Sequence, residues 1–307
     1  MKRQVAIIGT GWVGASVAIS TLHSGVVDEL LLTDARVEVA EGEAMDLAHG
    51  ATFYPQATVR TAAVEEMAGA DVVVVAAGRG GKPGESRLDL LRDNAAVTRD
   101  LGQRLRGCRG TIVMVSNPVD VLTQVMTEAS GLPPARVLGT GTMLDTARLR
   151  QVLARELKVD PHSVHAHVVG EHGDSEVVLW STAMVGGLAL GQWPEWHAER
   201  EPVLAEEVRR AAYQIIRRKG ATNHAIGLVT AHLVKCLLRD ERRVLTVSRV
   251  QHGASGLHDV ALSLPAVVGA DGASQVLELE MTASEREALE RSATVLTSAA
   301  AELNRPS

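Results

Sequence analysis

The segment Gly9-Thr10-Gly11-Trp12-Val13-Gly14 constrains the fold of this chain more than any other. It follows the apolar run Val5-Ala6-Ile7-Ile8 and opens a helical pattern from Trp12 to about His23. Glycines at this spacing have separate uses: Gly9 for a sharp turn, Gly11 for close approach of a pyrophosphate, Gly14 for packing helix against strand. The helix N-terminus adds free N–H groups and a positive dipole end for the phosphates. The spacing alone is a weak signal, because glycines are common at tight turns. It gains meaning from Asp34, which ends the next apolar run, Leu30-Leu31-Leu32, 20 residues beyond Gly14. A carboxylate there accepts hydrogen bonds from both ribose hydroxyls and repels a 2′-phosphate. The pattern therefore predicts a dinucleotide cleft that takes NAD rather than NADP, with Arg36 as a nearby opposing charge.

The rest of the first half repeats the alternation. A helical pattern runs from about Val37 to Ala48, and further buried runs follow at Asp71–Val75 and Thr111–Val115. Each run is short, β-branched and followed by Gly, Asn or Asp, which predicts an α/β, Rossmann-type doubly wound parallel sheet. Aromatic residues are 2% of the chain, so the core must come from Val, Leu, Ile, Ala and Met, as suits strands buried on both faces. The second half differs. Long helical patterns at about Val203–Arg218, Asn223–Arg239 and Ser284–Leu303 alternate with strand patterns at Val164–Val169, Val244–Val250 and Ala261–Val268. This predicts a nucleotide-binding domain over 1–142 and a mixed α/β substrate domain over 143–307.

Charge and cysteine usage exclude several classes. The net charge is -6 with the two signs interleaved, so no attraction to nucleic acid or an anionic membrane is expected. No run of about 18 apolar residues marks a membrane span, and the N-terminus lacks a signal-peptide pattern. Two isolated cysteines, Cys108 and Cys236, fit a reducing compartment, so a cytoplasmic protein is expected.

Four polar stretches stand where α/β enzymes place chemistry: Lys82-Pro83-Gly84-Glu85-Ser86-Arg87-Leu88-Asp89, Ser116-Asn117-Pro118-Val119-Asp120, Leu144-Asp145-Thr146-Ala147-Arg148 and Gly170-Glu171-His172-Gly173-Asp174-Ser175. Together, in this order, they closely resemble the L-lactate/malate dehydrogenase family, on its bacterial lactate dehydrogenase branch. The resemblance implies hydride transfer between NAD and the C2 position of a small L-2-hydroxy acid. It makes His172 the proton donor and acceptor, Asp145 the acid that orients it, and Arg148 the clamp for the substrate carboxylate. Arg87 becomes a mobile-loop arginine that polarises the carbonyl, Asn117 a contact to substrate and nicotinamide ribose, and Thr222 a neighbour of the substrate side chain. The chemistry is consistent with these roles. An imidazole, at roughly 6.5 unperturbed, exchanges protons near neutrality. A guanidinium grips a carboxylate at two points. Three residues apart on one helix, Asp145 and Arg148 share a face.

The chain departs from the family where substrate is chosen. The loop position that is Gln in lactate and Arg in malate dehydrogenases is Gly81, and the two tyrosines that usually follow Thr222 are Asn223-His224. A glycine offers neither packing surface nor charge and makes loop closure cost more entropy. Both changes predict tolerance of 2-oxo acids bulkier than pyruvate. A malate dehydrogenase using Arg79 or His224, or a non-catalytic NAD-binding protein, are the rival readings. His162, His165 and His167 lack the partners of a zinc site, so no metal is expected. Instead Arg150 and His165 match the positions that bind fructose bisphosphate across a subunit interface, which implies a homo-oligomer, tetramer or dimer, with an allosteric anion site.

Overall fold

The computed structural model describes residues 2–80 and 87–303, with the main chain alone at Arg87. Six strands of the first half pair in parallel: β1 (Gln4–Ile8), β2 (Glu29–Thr33), β3 (Thr58–Thr61), β4 (Val72–Val75), β5 (Thr111–Met114) and β6 (Val137–Gly139). Their order across the sheet is β3-β2-β1-β4-β5-β6. The helices between them are α1 (Trp12–His23), α2 (Val37–His49), α3 (Val64–Met67), α4 (Arg87–Arg104) and α5 (Val119–Ser130). Side chains alternate across the pleat. Val5 and Ile7 pack on one face with α1 and α2, while Ala6 and Ile8 pack on the other with α3, α4 and α5. Both faces are covered, which is why β4 is apolar at every position and β1 and β5 at all but their first. The order reverses between β1 and β4, and the C-terminal ends of these two strands open the crevice where such sheets bind ligands.

The second half contributes α6 (Met143–Leu157), α7 (Glu201–Lys219), α8 (His224–Leu238) and α9 (Ala283–Leu303). It also contributes five short strands, β7 (Val164–His165), β8 (Val168–Val169), β9 (Val177–Val178), β10 (Met184–Val185) and β11 (Leu188–Ala189). Three further strands, β12 (Arg243–His252), β13 (His258–Gly269) and β14 (Gly272–Val276), are antiparallel and continue the first sheet, with Ser248 of β12 paired to Gly139 of β6. The sequence suggests a second unit merely packed against the first, whereas hydrogen bonding runs from one into the other. Gly139 permits the junction, since a Cβ there would stand 2.5 Å from Thr123 Oγ1 and 3.0 Å from Ser248 Cβ. Helix α8 covers the α1 face of the sheet, and α9 covers the face of α4 and α5.

Two expectations about strands need correction. Val164–Val169 is not one strand: β7 pairs with β10 and β8 with β9, and the chain changes partner at Ala166-His167. Strands β3 and β6 also form without a clear sequence signal, because Thr-Val-Arg-Thr is a half-exposed edge and Val-Leu-Gly is only three residues long.

Candidate active site

The crevice at the end of β1 is built by its glycines. Gly9 has φ +94°, and a Cβ there would lie 2.6 Å from Ala77 N. At Gly14 a Cβ would lie 1.8 Å from Gly9 O, so α1 reaches its place only with glycine there. Gly11, the N-cap of α1, meets nothing within 4 Å, which leaves free space in front of the helix N-terminus. Asp34 is held at the end of β2 by two main-chain donors. Thr10 N–H donates to its Oδ2 at 2.8 Å and Arg36 N–H to its Oδ1 at 3.1 Å. Gly9, Gly11, Asp34, Ala77 and Gly78 line a cleft of about 950 Å³. A bare main chain facing open space and an acid fixed beside it fit the pyrophosphate and the ribose of a dinucleotide.

The loops after β4 and β5 complete this end of the crevice. Buried Asn94 of α4 joins them: its Oδ1 accepts from Arg79 N–H at 3.0 Å, and its Nδ2 donates to the carbonyls of Arg79 (3.2 Å) and Asn117 (3.1 Å). Asn117 is exposed at this edge. The Arg79 guanidinium is paired with Asp93 on the surface, at 2.7 Å.

The histidine stands against the first turn of α5, just beyond the loop after β5. His172 Nδ1 lies 2.5 Å from Asp145 Oδ2, and Arg148 Nη1 donates to the other oxygen, Asp145 Oδ1, at 2.7 Å. Asp145 lies in the first turn of α6, whose N–H groups favour an anion. That turn is pinned by Thr142, which donates through Oγ1 to Val168 O at 2.5 Å, and by Thr146, whose Oγ1 accepts from Val168 N–H at 3.0 Å. The loop of His172 is pinned as well. Its neighbour Glu171 donates its N–H to Ser292 Oγ of α9 at 2.8 Å and accepts from the Ser175 hydroxyl, and His172 N–H itself donates to Asp120 Oδ2 at 2.7 Å.

The electrostatics follow from burial and these partners. Burial favours the neutral imidazole, but the charge and hydrogen bond of Asp145, helped by Asp120, outweigh it and raise His172 to about 9. Burial opposes ionisation of Asp145, yet His172 and Arg148 hold its pKa below the ordinary carboxylate value. Glu176, buried and close to the charge of Asp145, is pushed up to about 8. His167, half-buried without an acid and close to Arg150 and His165, falls to about 4. The His172 side chain keeps 25% of its surface exposed against 3% for Asp145, so the ring is reachable while its partner is not. With Nδ1 committed, Nε2 is the atom free to exchange a proton with a bound molecule.

The structure thus joins His172, Asp145 and Arg148 in one cluster, and Gly9, Gly11, Gly14 and Asp34 in another. Thr222 is half-buried between α7 and α8, with no hydrogen-bond partner assigned to it among the described residues. Arg150, whose Nε donates to Ala166 O at 3.3 Å, and His165 both lie close enough to His167 to depress it. Gly81 and the Arg87 side chain lie outside the described residues. Asn223 Nδ2 donates to Ser16 Oγ of α1 at 3.0 Å, His224 lines a cleft with Trp12 and Lys219, and Gly227 packs tightly on Ser16, where a Cβ would stand 2.7 Å from the Ser16 main chain. Two buried acids of the site, Asp120 and Glu176, carry no assigned role in the sequence reading. Asp120 had a visible signal, an acid in the first turn after Ser116-Asn117-Pro118.

Residues 3–139 match the NAD-binding domain of lactate/malate dehydrogenases, and residues 142–305 match their alpha/beta C-terminal domain. The chain is 48% identical to an L-lactate dehydrogenase of Synechococcus sp. (strain JA-3-3Ab), over 95% of this chain and 96% of that one. It is 44% identical to an L-lactate dehydrogenase of Moorella thermoacetica, over 98% of each. Its structure superposes on that of the minor L-lactate dehydrogenase from Enterococcus mundtii in the ligands-bound form with a TM-score of 0.96 at 40% identity, covering 99% of each chain.

Proposed function

The chain belongs to the lactate/malate dehydrogenase family and is an NAD-dependent oxidoreductase of the L-lactate dehydrogenase type, and from that premise we propose how its residues divide the reaction. Bound NAD supplies the hydride acceptor, or the donor in the reverse direction. Gly9, Gly11 and Gly14 shape its phosphate cradle, Asp34 takes the ribose hydroxyls, and Asn117 closes the nicotinamide end. Arg148 holds the substrate carboxylate through the guanidinium donors that Asp145 leaves free. His172 Nε2 gives its proton to the carbonyl oxygen as the 2-oxo acid is reduced, and takes one back in the reverse reaction. Asp145 fixes the tautomer and supports the imidazolium. Arg87 polarises the carbonyl, and Thr222 flanks the substrate side chain. The observation that carries this reading is the His172–Asp145–Arg148 chain of contacts at 2.5 and 2.7 Å.

The substrate is a 2-oxo acid, and the chain tolerates side chains larger than a methyl group because Gly81 removes the side chain that would close over it. Asn223 and His224, where the family usually has two tyrosines, remove aromatic bulk after Thr222 as well. The test is the rate of NADH oxidation against pyruvate, oxaloacetate, 2-oxoisocaproate and phenylpyruvate. Preference for the bulkier acids, reversed toward pyruvate in Gly81→Gln, supports the reading. A strong native preference for pyruvate or oxaloacetate removes it.

Arg150 and His165 form an anion site for fructose bisphosphate between subunits of a tetramer; their shared closeness to His167 supports this. Fructose bisphosphate that alters neither rate nor assembly in solution refutes it. The protein works in the cytoplasm, a reading that rests on its two buried cysteines, neither joined in a disulfide. No helix among the described residues is long and apolar enough to cross a membrane.

A further inference from the structure

Asp120 is the second residue of α5 and is 2% exposed. Its Oδ2 accepts the main-chain N–H of His172 at 2.7 Å, across 52 residues of sequence. Its Oδ1 has no partner at hydrogen-bond distance among the described residues, and the polar group close by is the fully buried Ser248 hydroxyl of β12. A carbonyl or a serine would satisfy that N–H as well. Burying a carboxylate there is costly unless a positive charge compensates it. The first turn of α5 supplies part of that compensation through its N–H groups. The remainder must come from the cationic groups of the site.

We propose that Asp120 is a positioning residue for the reaction: it anchors the main chain of His172 and places a second negative charge beside the imidazole, so that two carboxylates and not one set the proton affinity of the ring. The inference rests on the role assigned to His172 above. The charged groups acting on the ring are Asp145 and Arg148 from α6, Asp120 from α5 and Glu176 from its own loop, while Glu171 of that loop acts on Asp120. Burial raises the Asp120 pKa to about 6, against the pull of Ser248 and the His172 N–H, so the acid is ionised through the neutral and alkaline range. There it favours the protonated ring, the form that reduces a 2-oxo acid.

The isosteric Asp120→Asn separates anchor from charge. Its amide oxygen still accepts the His172 N–H, and its NH2 group finds the nearby Ser248 hydroxyl. With the charge gone, the His172 pKa falls by about one unit, the low end for losing an opposite charge within ~4–6 Å. The alkaline limb of kcat/KM for 2-oxo acid reduction moves down by the same amount. Asp120→Ala shows the same displacement with a further fall in kcat, because the anchor is lost too. The experiment records this pH profile together with an NMR titration of the 15N-labelled His172 ring in protein without substrate. A ring pKa unmoved in both variants overturns the proposal and leaves Asp120 a structural residue. A ring pKa that moves in the variants while the wild-type protein reduces no 2-oxo acid upholds it and removes the proposed function instead. If neither variant folds, the wild-type His172 amide shift decides: an inflection as Asp120 ionises, mirrored in the ring shift, is expected, and a ring shift blind to that inflection refutes the coupling.

Discussion

Asp145→Asn tests the electrostatic design of the site most sharply, and the protein contains its own control. His172 and His167 are five residues apart and both half-buried. His172, with Asp145 at 2.5 Å, is raised to about 9, whereas His167, with no acid, falls to about 4. Removing the Asp145 charge moves His172 toward its neighbour's state, although Asp120 remains. A pKa of ~5.5 would lie between the intrinsic value near ~6.5 and that of His167. At pH 7 the protonated fraction then drops from ~99% to ~3%, a ~30-fold loss in reduction, or about 2 kcal/mol. Misorientation of the ring adds to this, since the Asn NH2 group presents a donor to Nδ1 and favours the wrong tautomer. The assay is kcat/KM for NADH-linked reduction from pH 5 to 9. The variant should recover much of its deficit on the acid side. A variant profile parallel to the wild type, with the same alkaline limb, would refute the reasoning.

Three further variants have distinct signatures. Gly14→Ala forces a Cβ to within 1.8 Å of Gly9 O, so thermal unfolding should show a loss of ~2–3 kcal/mol, and an unchanged Tm would contradict the packing argument. Gly11→Ala meets open space, so its Tm should hold while NADH affinity, read by fluorescence titration, falls at least ~10-fold through the blocked pyrophosphate position; tight NADH binding would remove the cradle. Glu176 is raised to about 8 in the folded protein, so the fold binds an extra proton between the ordinary carboxylate range and that value, and stability falls as pH rises through this window. Glu176→Gln should therefore leave Tm little changed at pH 5 and raise it progressively by pH 9; a gap independent of pH would speak against this.

Much of this architecture was legible because local chemistry and global fold agree. The β-branched runs, their alternation with helices and the three glycines define the parallel sheet and its cleft without reference to anything distant. Asp145 and Arg148 share a face by helical spacing alone. The contacts that complete the site are of another kind. Asp145 meets His172 across 27 residues and Asp120 meets it across 52, and nothing in composition or periodicity encodes such closures. The extension of the sheet into β12 hangs on one bridge at Gly139, and no pattern announces the partner change between β7 and β8. The bond from Asn223 to Ser16 spans 207 residues, and the tight packing of Gly227 on Ser16 beside it is an event that spacing cannot report.

The central claim is that His172 Nε2 carries the proton of an NAD-linked reduction. Its most direct test is His172→Gln, with the single-turnover rate of NADH oxidation by a saturating 2-oxo acid measured beside NADH affinity. The ring lies outside the nucleotide cradle, so affinity should stay near that of the wild type while the rate falls by at least ~10³-fold, the combined loss of proton transfer and orientation. A variant that binds NADH normally and turns over within ~10-fold of the wild type would show that the proton comes from elsewhere.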